Sequence, residues 1–315
     1  MFWYTVQILA GLVLLYLGAE ALVRGSSALA LRLRVSPMII GLTIVAMGTS
    51  SPELIVNLKA AVIGSSDISL GNVIGSNISN IGLILGLSVI IRPVRVHLNT
   101  IRNDVPFLIL SSILCVFFLL NRYLSRAEGL ILFAGIVLFL GFQIFQARKE
   151  LKAYSAISSE SHKILSGRHV LIDVLLVIGG IGLLVAGADF LVRGSIGVAA
   201  ALGVSQAFIG LSVVALGTSL PELATSVVAS IKKQSDIAVG NVIGSNIFNI
   251  HFVLGTTGLF RPLHGEQINP FELWFMLGMS VLLLPFLLTR FTLNRSEGVV
   301  LLLLYGVFIY FILPV

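Results

Sequence analysis

Charge is scarce in this chain. Of its 315 residues only 11% are Asp, Glu, Lys or Arg, less than half the usual quarter of a soluble domain. Apolar residues make up 57%, and the mean hydropathy is +1.05. A water-soluble globule of this size needs far more polar surface, so that class is excluded, and a large aqueous domain has nowhere to sit. Cysteine is nearly absent too: Cys115 is the single one, which excludes an intrachain disulfide and a cysteine metal centre. Strict apolar–polar alternation is missing, which excludes an outer-membrane barrel. The Gly-rich stretches lack G-x-x-x-x-G-K-[ST], so a Walker site for ATP is not expected. Neither G-x-S-x-G nor H-E-x-x-H occurs. No basic n-region accompanies Met1-Phe2-Trp3-Tyr4, so the first apolar run reads as a retained span rather than a signal peptide.

What is present is a set of apolar runs of about 20 residues, the length of a helix crossing a bilayer. The chain reads as an all-α polytopic membrane protein. Its 31 glycines suit helix packing in lipid, where small residues let backbones approach. The net charge of +6 does not call for a nucleic-acid partner, because a Lys/Arg excess in such a protein marks cytoplasmic loops.

The chain is one unit written twice. Gly18-Ala-Glu-Ala-Leu-Val-Arg-Gly-Ser26 matches Gly187-Ala-Asp-Phe-Leu-Val-Arg-Gly-Ser195. Gly48-Thr-Ser-Ser-Pro-Glu-Leu54 matches Gly217-Thr-Ser-Leu-Pro-Glu-Leu223, and Gly71-Asn-Val-Ile-Gly-Ser-Asn-Ile78 matches Gly240-Asn-Val-Ile-Gly-Ser-Asn-Ile247. Each pair is offset by 187 − 18 = 169 without a gap. Residues 1–146 therefore map onto 170–315, and 147–169, polar and serine-rich, reads as a flexible cytoplasmic connector. Apolar runs fall at about 3–23, 38–63, 72–91, 105–121 and 129–146, then at 171–192, 207–231, 241–260, 271–289 and 297–313. Five spans per copy, ten in all, force the second copy to enter the membrane inverted, an arrangement typical of secondary transporters.

The basic residues orient it. With the N-terminus outside, the inner segments hold Arg24, Arg32, Arg34, Arg92, Arg95, Arg102, Arg148, Lys149, Lys152, Lys163, Arg168, Lys232, Lys233, Arg290 and Arg295. Only Arg122, Arg126, Arg193 and Arg261 fall in outer loops, and Lys59 lies within the second span. Both termini are expected outside the inner (cell) membrane and the connector in the cytoplasm.

Of fourteen acidic residues, twelve fall at span ends or in loops. Glu53 and Glu222, which are repeat mates, fall in mid-span. A carboxylate there costs at least about 2.5 kcal/mol and marks a functional site with a partner. Pro52 and Pro221 remove a backbone donor and push the preceding residue out of helix. Each span should break over Gly48–Pro52 or Gly217–Pro221, freeing carbonyls such as those of Ala46 and Ala215 to face a cation. Thr49, Ser50, Thr218 and Ser219 add hydroxyls. Ser76 with Asn80, and Ser245 with Asn249, are i, i+4 pairs sharing a face. Asn72, Asn77, Asn241 and Asn246 either back up ligands or hold helices together. All these donors are hard oxygens, which suit Ca²⁺ and equally Na⁺, whereas zinc or copper would want His or Cys. Two glutamates balance one Ca²⁺. His251 is the one histidine within a span and reads as packing. Glu20/Arg24 and Asp189/Arg193 read as i, i+4 ion pairs, and Ser125-Arg-Ala-Glu128 and Asn294-Arg-Ser-Glu297 as helix N-caps.

At Gly-Thr-Ser-x-Pro-Glu and Gly-Asn-x-x-Gly-Ser-Asn, each present twice, the chain resembles the sodium/calcium exchanger family, prokaryotic type, within the cation/Ca²⁺ antiporters. The resemblance covers about 18–93 and 187–262 and the ten-span plan. It implies two inverted five-helix repeats with broken helices 2, 3, 7 and 8. It implies a site taking Na⁺ and Ca²⁺ alternately through Ala46, Thr49, Ser50, Glu53, Ser76, Asn80, Ala215, Thr218, Ser219, Glu222, Ser245 and Asn249. It also implies that the first and sixth spans slide to switch access. Asn249 stands where some prokaryotic relatives and K⁺-dependent exchangers have Asp, which argues against K⁺ dependence. Ser76 and Ser245 stand where the proton-coupled branch has Glu, which argues against H⁺ coupling.

The expected function is Na⁺/Ca²⁺ antiport, with no cofactor beyond the transported ions, no catalytic residue, no partner but the lipid bilayer, and a monomeric unit. A Ca²⁺/H⁺ antiporter using the same glutamates is the nearest alternative, then a passive cation channel. An intramembrane enzyme has no nucleophile or metal motif to support it.

Overall fold

The computed structural model describes residues 2–157, 167–202, 215–288 and 291–312. In chain order the elements begin with α1 (Phe2–Leu33), α2 (Pro37–Thr49), α3 (Ser51–Val62) and α4 (Ser66–Ile91). Then follow β1 (Val94–Arg95), α5 (Thr100–Leu119), β2 (Tyr123–Leu124) and α6 (Arg126–Ile157). The second half holds α7 (Gly167–Ala201), α8 (Ala215–Thr218), α9 (Leu220–Ile231) and α10 (Ser235–Phe260). The chain ends with β3 (Leu263–His264), α11 (Pro270–Leu288), β4 (Thr292–Leu293) and α12 (Arg295–Ile312). Among the described residues eight helices are long and apolar enough to cross a membrane. A ninth is counted if α2 and α3, bent by 40°, form one span. The expected seventh span, 207–231, includes 207–214, which lie outside the described residues.

Local structure repeats with the sequence. The break between α2 and α3 recurs between α8 and α9, 169 residues on, and β1 and β2 recur as β3 and β4. The left-handed turn at Gly64 (φ 82°) recurs at Lys233 (φ 65°), and that at Arg122 (φ 59°) at Phe291 (φ 54°). The caps form as read. Ser125 N–H and Oγ both reach Glu128 Oε2 at 2.7 Å, and Glu128 N–H returns to Ser125 Oγ at 3.2 Å. Asn294 N–H reaches Glu297 Oε2 at 2.6 Å. The first is the reciprocal box that satisfies donors a helix start leaves orphaned, and the second makes its Glu-to-backbone half.

Two expectations change. Helices 3 and 8 are not broken: α4 and α10 run continuously, widened by π-helical stretches at Asn80–Leu85 and Asn249–Leu254. Neither carries a proline, so an extra residue is absorbed by a wider turn instead of a break. The fold is all-helical as expected, and its loops are tied by two antiparallel two-residue ribbons, β1 with β4 and β2 with β3. Glu20 takes Lys232 at 2.6 Å and not Arg24 as its ion-pair partner. The first helix runs on to Leu33 and packs along α9, whose C-cap is Lys232. Asp189 does pair with Arg193, at 2.8 Å.

Contacts divide the chain into two compact units, Met1–Thr49 with Leu138–Asn241 and Ser50–Val137 with Val242–Val315. In the first, α1 and α7 lie antiparallel. A Cβ on Gly11 would meet Gly187 O at 2.8 Å, one on Gly18 would meet Gly180 O at 2.8 Å, and one on Gly25 would meet Asp173 O at 2.8 Å. Glycine lets the backbones come this close. Leu15, Leu22, Val177 and Leu184 lie in the buried core of this unit, with Val228 of α9. Arg32 pairs with Asp173, and Ser36 N–H bonds Glu150 at 2.7 Å, tying the helix ends together. The expected connector 147–169 is helical at its start, through Ile157, and again from Gly167; 158–166 lie outside the described residues.

The second unit builds its own core from Ile74, Ile78, Cys115, Leu119, Leu132, Ile250, Leu254 and Met276. Exchanging every segment for its repeat mate turns the β1–β4 ribbon into β3–β2. Arg261 caps α3 by donating to Ala61 O at 2.9 Å and Val62 O at 3.0 Å.

Candidate cation-binding site

The two kinks come from their prolines. Pro52 and Pro221 have no N–H, so the carbonyls of Gly48 and Gly217 lose their i+4 donor. Ser50 (φ −84°, ψ 5°) and Ser219 (φ −89°, ψ 5°) leave the helical region as a result, and the helix resumes at once. At the second kink Ser219 N–H bonds Leu216 O at 3.2 Å, a three-residue turn. At the first, the Ala46 carbonyl accepts the Thr49 hydroxyl at 3.3 Å. Each candidate glutamate lies one residue past its proline, in the first turn of the resumed helix.

In the first unit the candidate donors are Ala46, Thr49, Ala215, Thr218, Ser219 and Glu222. Asn241 ties part of this set together: its Oδ1 accepts from Thr49 Oγ1 at 3.1 Å. Its Nδ2 donates to Ser226 Oγ at 3.0 Å and to Glu222 O at 3.4 Å. A hydroxyl whose proton is drawn towards an amide oxygen turns its lone pairs elsewhere.

In the second unit the donors are Ser50, Glu53, Ser76, Asn80, Ser245 and Asn249, on α3, α4 and α10. The pairing of Asn241 with Ser226 has its mate here: Asn72 Nδ2 donates to Asn57 Oδ1 at 2.8 Å. Asn80 N–H still bonds Ser76 O, so these two keep the one-turn spacing that puts them on one face. Both π stretches begin at the central asparagines, Asn80 and Asn249, and π turns frequently mark functional sites. Asn80 Nδ2 donates to Asn246 Oδ1 at 3.0 Å.

Glu53 and Glu222 are 0% exposed, and the hydroxyl and amide groups of Thr49, Ser50, Ser76, Asn80, Thr218, Ser219, Ser245 and Asn249 are all buried. Among the described residues the Asn80 Oδ1 and both amide atoms of Asn249 have no hydrogen-bond partner. Leaving a buried polar atom unsatisfied costs about 1–3 kcal/mol, so such atoms call for a ligand. Among the described residues no cluster of three or more His, Cys, Asp or Glu occurs. Each carboxylate is accompanied instead by neutral oxygens, the donor mixture of hard cations.

His251 lies apart from this chemistry. One ring nitrogen meets Leu132 O at 3.0 Å and the other Ser111 Oγ at 2.8 Å, and its ring packs on Phe107. Gly135 makes room for it, since a Cβ there would fall 2.3 Å from His251 Nδ1. His251→Leu removes the ring's bonds to Leu132 O and Ser111, whose hydroxyl keeps Phe107 O at 2.6 Å, and is expected to cost about 1 kcal/mol of stability. A lowered thermal midpoint with Ca²⁺ affinity within about threefold of wild type checks this.

A family profile described as sodium/calcium exchanger protein matches residues 3–145 and 172–313, the two repeats nearly end to end. The chain belongs to the sodium/calcium exchanger family. The sodium/calcium exchanger MaX1 of Methanosarcina acetivorans is 34% identical, with 96% of each chain covered. The inner membrane protein YrbG of Escherichia coli is 36% identical over 84% of this chain and 82% of that one. The structure of the sodium-calcium exchanger NCX_Mj soaked with 10 mM Na⁺ and zero Ca²⁺ superposes with a TM-score of 0.87 at 32% identity, covering 99% of both chains. The resemblance read from the motifs holds, and this multi-pass member of the exchanger family has the make-up of a cation/Ca²⁺ antiporter. Two site neighbours escaped the sequence reading, Asn57 and Ser226. They are repeat mates one helical turn past Glu53 and Glu222, and a polar residue at i+4 from a mid-span carboxylate is the signal that marks them.

Proposed function

We propose that this exchanger-family chain carries Na⁺ and Ca²⁺ in opposite directions across the inner membrane by alternating access. Glu53 and Glu222 bind both ions, so competition for the same carboxylates couples them. The observation that carries this reading is two fully buried glutamates at equivalent proline kinks, each followed at i+4 by a hydrogen-bonded polar residue. The hydroxyls of Thr49, Ser50, Ser76, Thr218, Ser219 and Ser245, the amides of Asn80 and Asn249 and the carbonyls of Ala46 and Ala215 complete the coordination. No resident cofactor is needed.

The same proposal takes 1–146 and 170–315 as inverted repeats joined by a cytoplasmic connector, both termini outside, working as a monomer. The antiparallel run of α1 and its mate α7 supports inversion. So do the exchangeable ribbons, because inverted copies are related by a two-fold axis. The β1–β4 ribbon joins two loops that the charge count puts inside, and the β2–β3 ribbon two that it puts outside.

Counter-flow in proteoliposomes decides the coupling ion. With Na⁺, K⁺ and H⁺ gradients imposed separately, ⁴⁵Ca²⁺ uptake should follow only Na⁺. Uptake that follows a pH gradient and ignores Na⁺ makes the chain a Ca²⁺/H⁺ antiporter; uptake without any counter-ion makes it a channel. Asn249→Asp adds a third mid-span carboxylate at a cost of at least about 2.5 kcal/mol. It should take up a proton or further cation, so that uptake becomes steeper with pH between about pH 6 and about pH 8 than in wild type, as initial rates across that range will read.

A further inference from the structure

We propose that Asn246 is a positioning residue: by accepting from Asn80 it fixes which end of the Asn80 amide faces the transported ion. This rests on the reading of Asn80 as an ion ligand. An amide has an acceptor end and a donor end, and a rotation of the terminal torsion swaps them. Only the oxygen end attracts a cation. Asn246 Oδ1 is an acceptor, and Asn80 Nδ2 donates to it at 3.0 Å. That bond holds the nitrogen on the Asn246 side and leaves Asn80 Oδ1 on the other. Asn80 is fully buried, and its Oδ1 has no hydrogen-bond partner among the described residues.

The repeat supplies an internal control. The mates of Asn80 and Asn246 are Asn249 and Asn77. The equivalent bond is missing: Asn77 Nδ2 reaches Met276 Sδ at 3.7 Å. Asn77 Oδ1 and both amide atoms of Asn249 have no hydrogen-bond partner among the described residues. The two central amides are therefore inequivalent. Asn80 is preset as an oxygen donor, whereas Asn249 must be oriented as the ion arrives. Partners behind metal ligands commonly set affinity tenfold to a hundredfold.

Calorimetric titration of the purified full chain with Ca²⁺ tests this. Asn246→Leu should raise Kd about tenfold or more. Asn246→Gln keeps a neutral acceptor oxygen and should return Kd to within about threefold of wild type, while Asn77→Leu should stay within about threefold. In an Asn80→Ala background, adding Asn246→Leu should change Kd by less than about twofold, since the two act through one group. A wild-type Kd in Asn246→Leu, an equal loss in Asn77→Leu, or full additivity with Asn80→Ala overturns the proposal. If Asn246→Leu does not give monodisperse protein, Asn246→Ala carries the same comparisons. Failure of the underlying reading looks different: Ca²⁺ would then bind wild type, Glu53→Gln and Glu222→Gln alike.

Discussion

Na⁺-gradient-driven ⁴⁵Ca²⁺ uptake into proteoliposomes is expected to fall to the level of protein-free vesicles in Glu53→Gln and in Glu222→Gln. Glutamine keeps the shape and one acceptor oxygen and removes only the charge. At about 4 Å and an effective dielectric constant of about 20, one carboxylate is worth about 4 kcal/mol to a unit charge, and more to a divalent ion. That corresponds to at least roughly a thousandfold in affinity. Both sites should respond, because each glutamate is 0% exposed and no described His, Cys, Asp or Glu cluster offers a substitute. Misfolding is separated by sign. Without ions a buried carboxylate is a burden on the fold, so each Gln variant should hold or raise its thermal midpoint in ion-free buffer. Uptake at half the wild-type rate in either variant would remove that glutamate from the ion path.

The candidate residues can be listed from the sequence, whereas their geometry cannot. Glu53 and Glu222 stood out because depth and repetition are both written in the sequence, and the kinks at Ser50 and Ser219 follow from Pro52 and Pro221 alone. The π stretches at Asn80 and Asn249 have no such signature, since neither α4 nor α10 carries a proline. Partners far apart in sequence were equally hidden. Periodicity reports neighbours on one helix, so it suggested Arg24 for Glu20, whereas Lys232 lies 212 residues away. The Asn80–Asn246 bond spans 166 residues and was open in the same way. The ribbons, two residues per strand, are too short for any alternation to show.

A stripe of glycines every seventh residue runs along α1 and along α7, and it carries the second large effect. Gly11, Gly18 and Gly25 on α1 have the repeat mates Gly180, Gly187 and Gly194 on α7. A seven-residue period keeps one helix face in contact over several turns. A Cβ at Gly18 would lie 2.8 Å from both Gly180 O and Leu184 N; one at Gly180 would lie 2.7 Å from Leu22 N. These are backbone atoms, which cannot turn aside as a side chain does. Gly18→Leu and Gly180→Leu must force α1 and α7 apart and empty the contacts of Leu15, Leu22 and Leu184 in the first unit's core. Overpacking alone costs about 1–3 kcal/mol and more where backbone must move, so the thermal midpoint should fall by roughly 5 °C or more, and transport with it. Gly179 and Gly182 on the same helix meet nothing within 4 Å among the described residues. Gly179→Ala and Gly182→Ala should leave the midpoint unchanged or raise it, because alanine is favoured over glycine in a helix by about 1 kcal/mol. Position-dependence of that kind separates a packed glycine seam from a general intolerance of α7 to substitution; equal losses at Gly179 and Gly180 would refute the antiparallel α1–α7 seam.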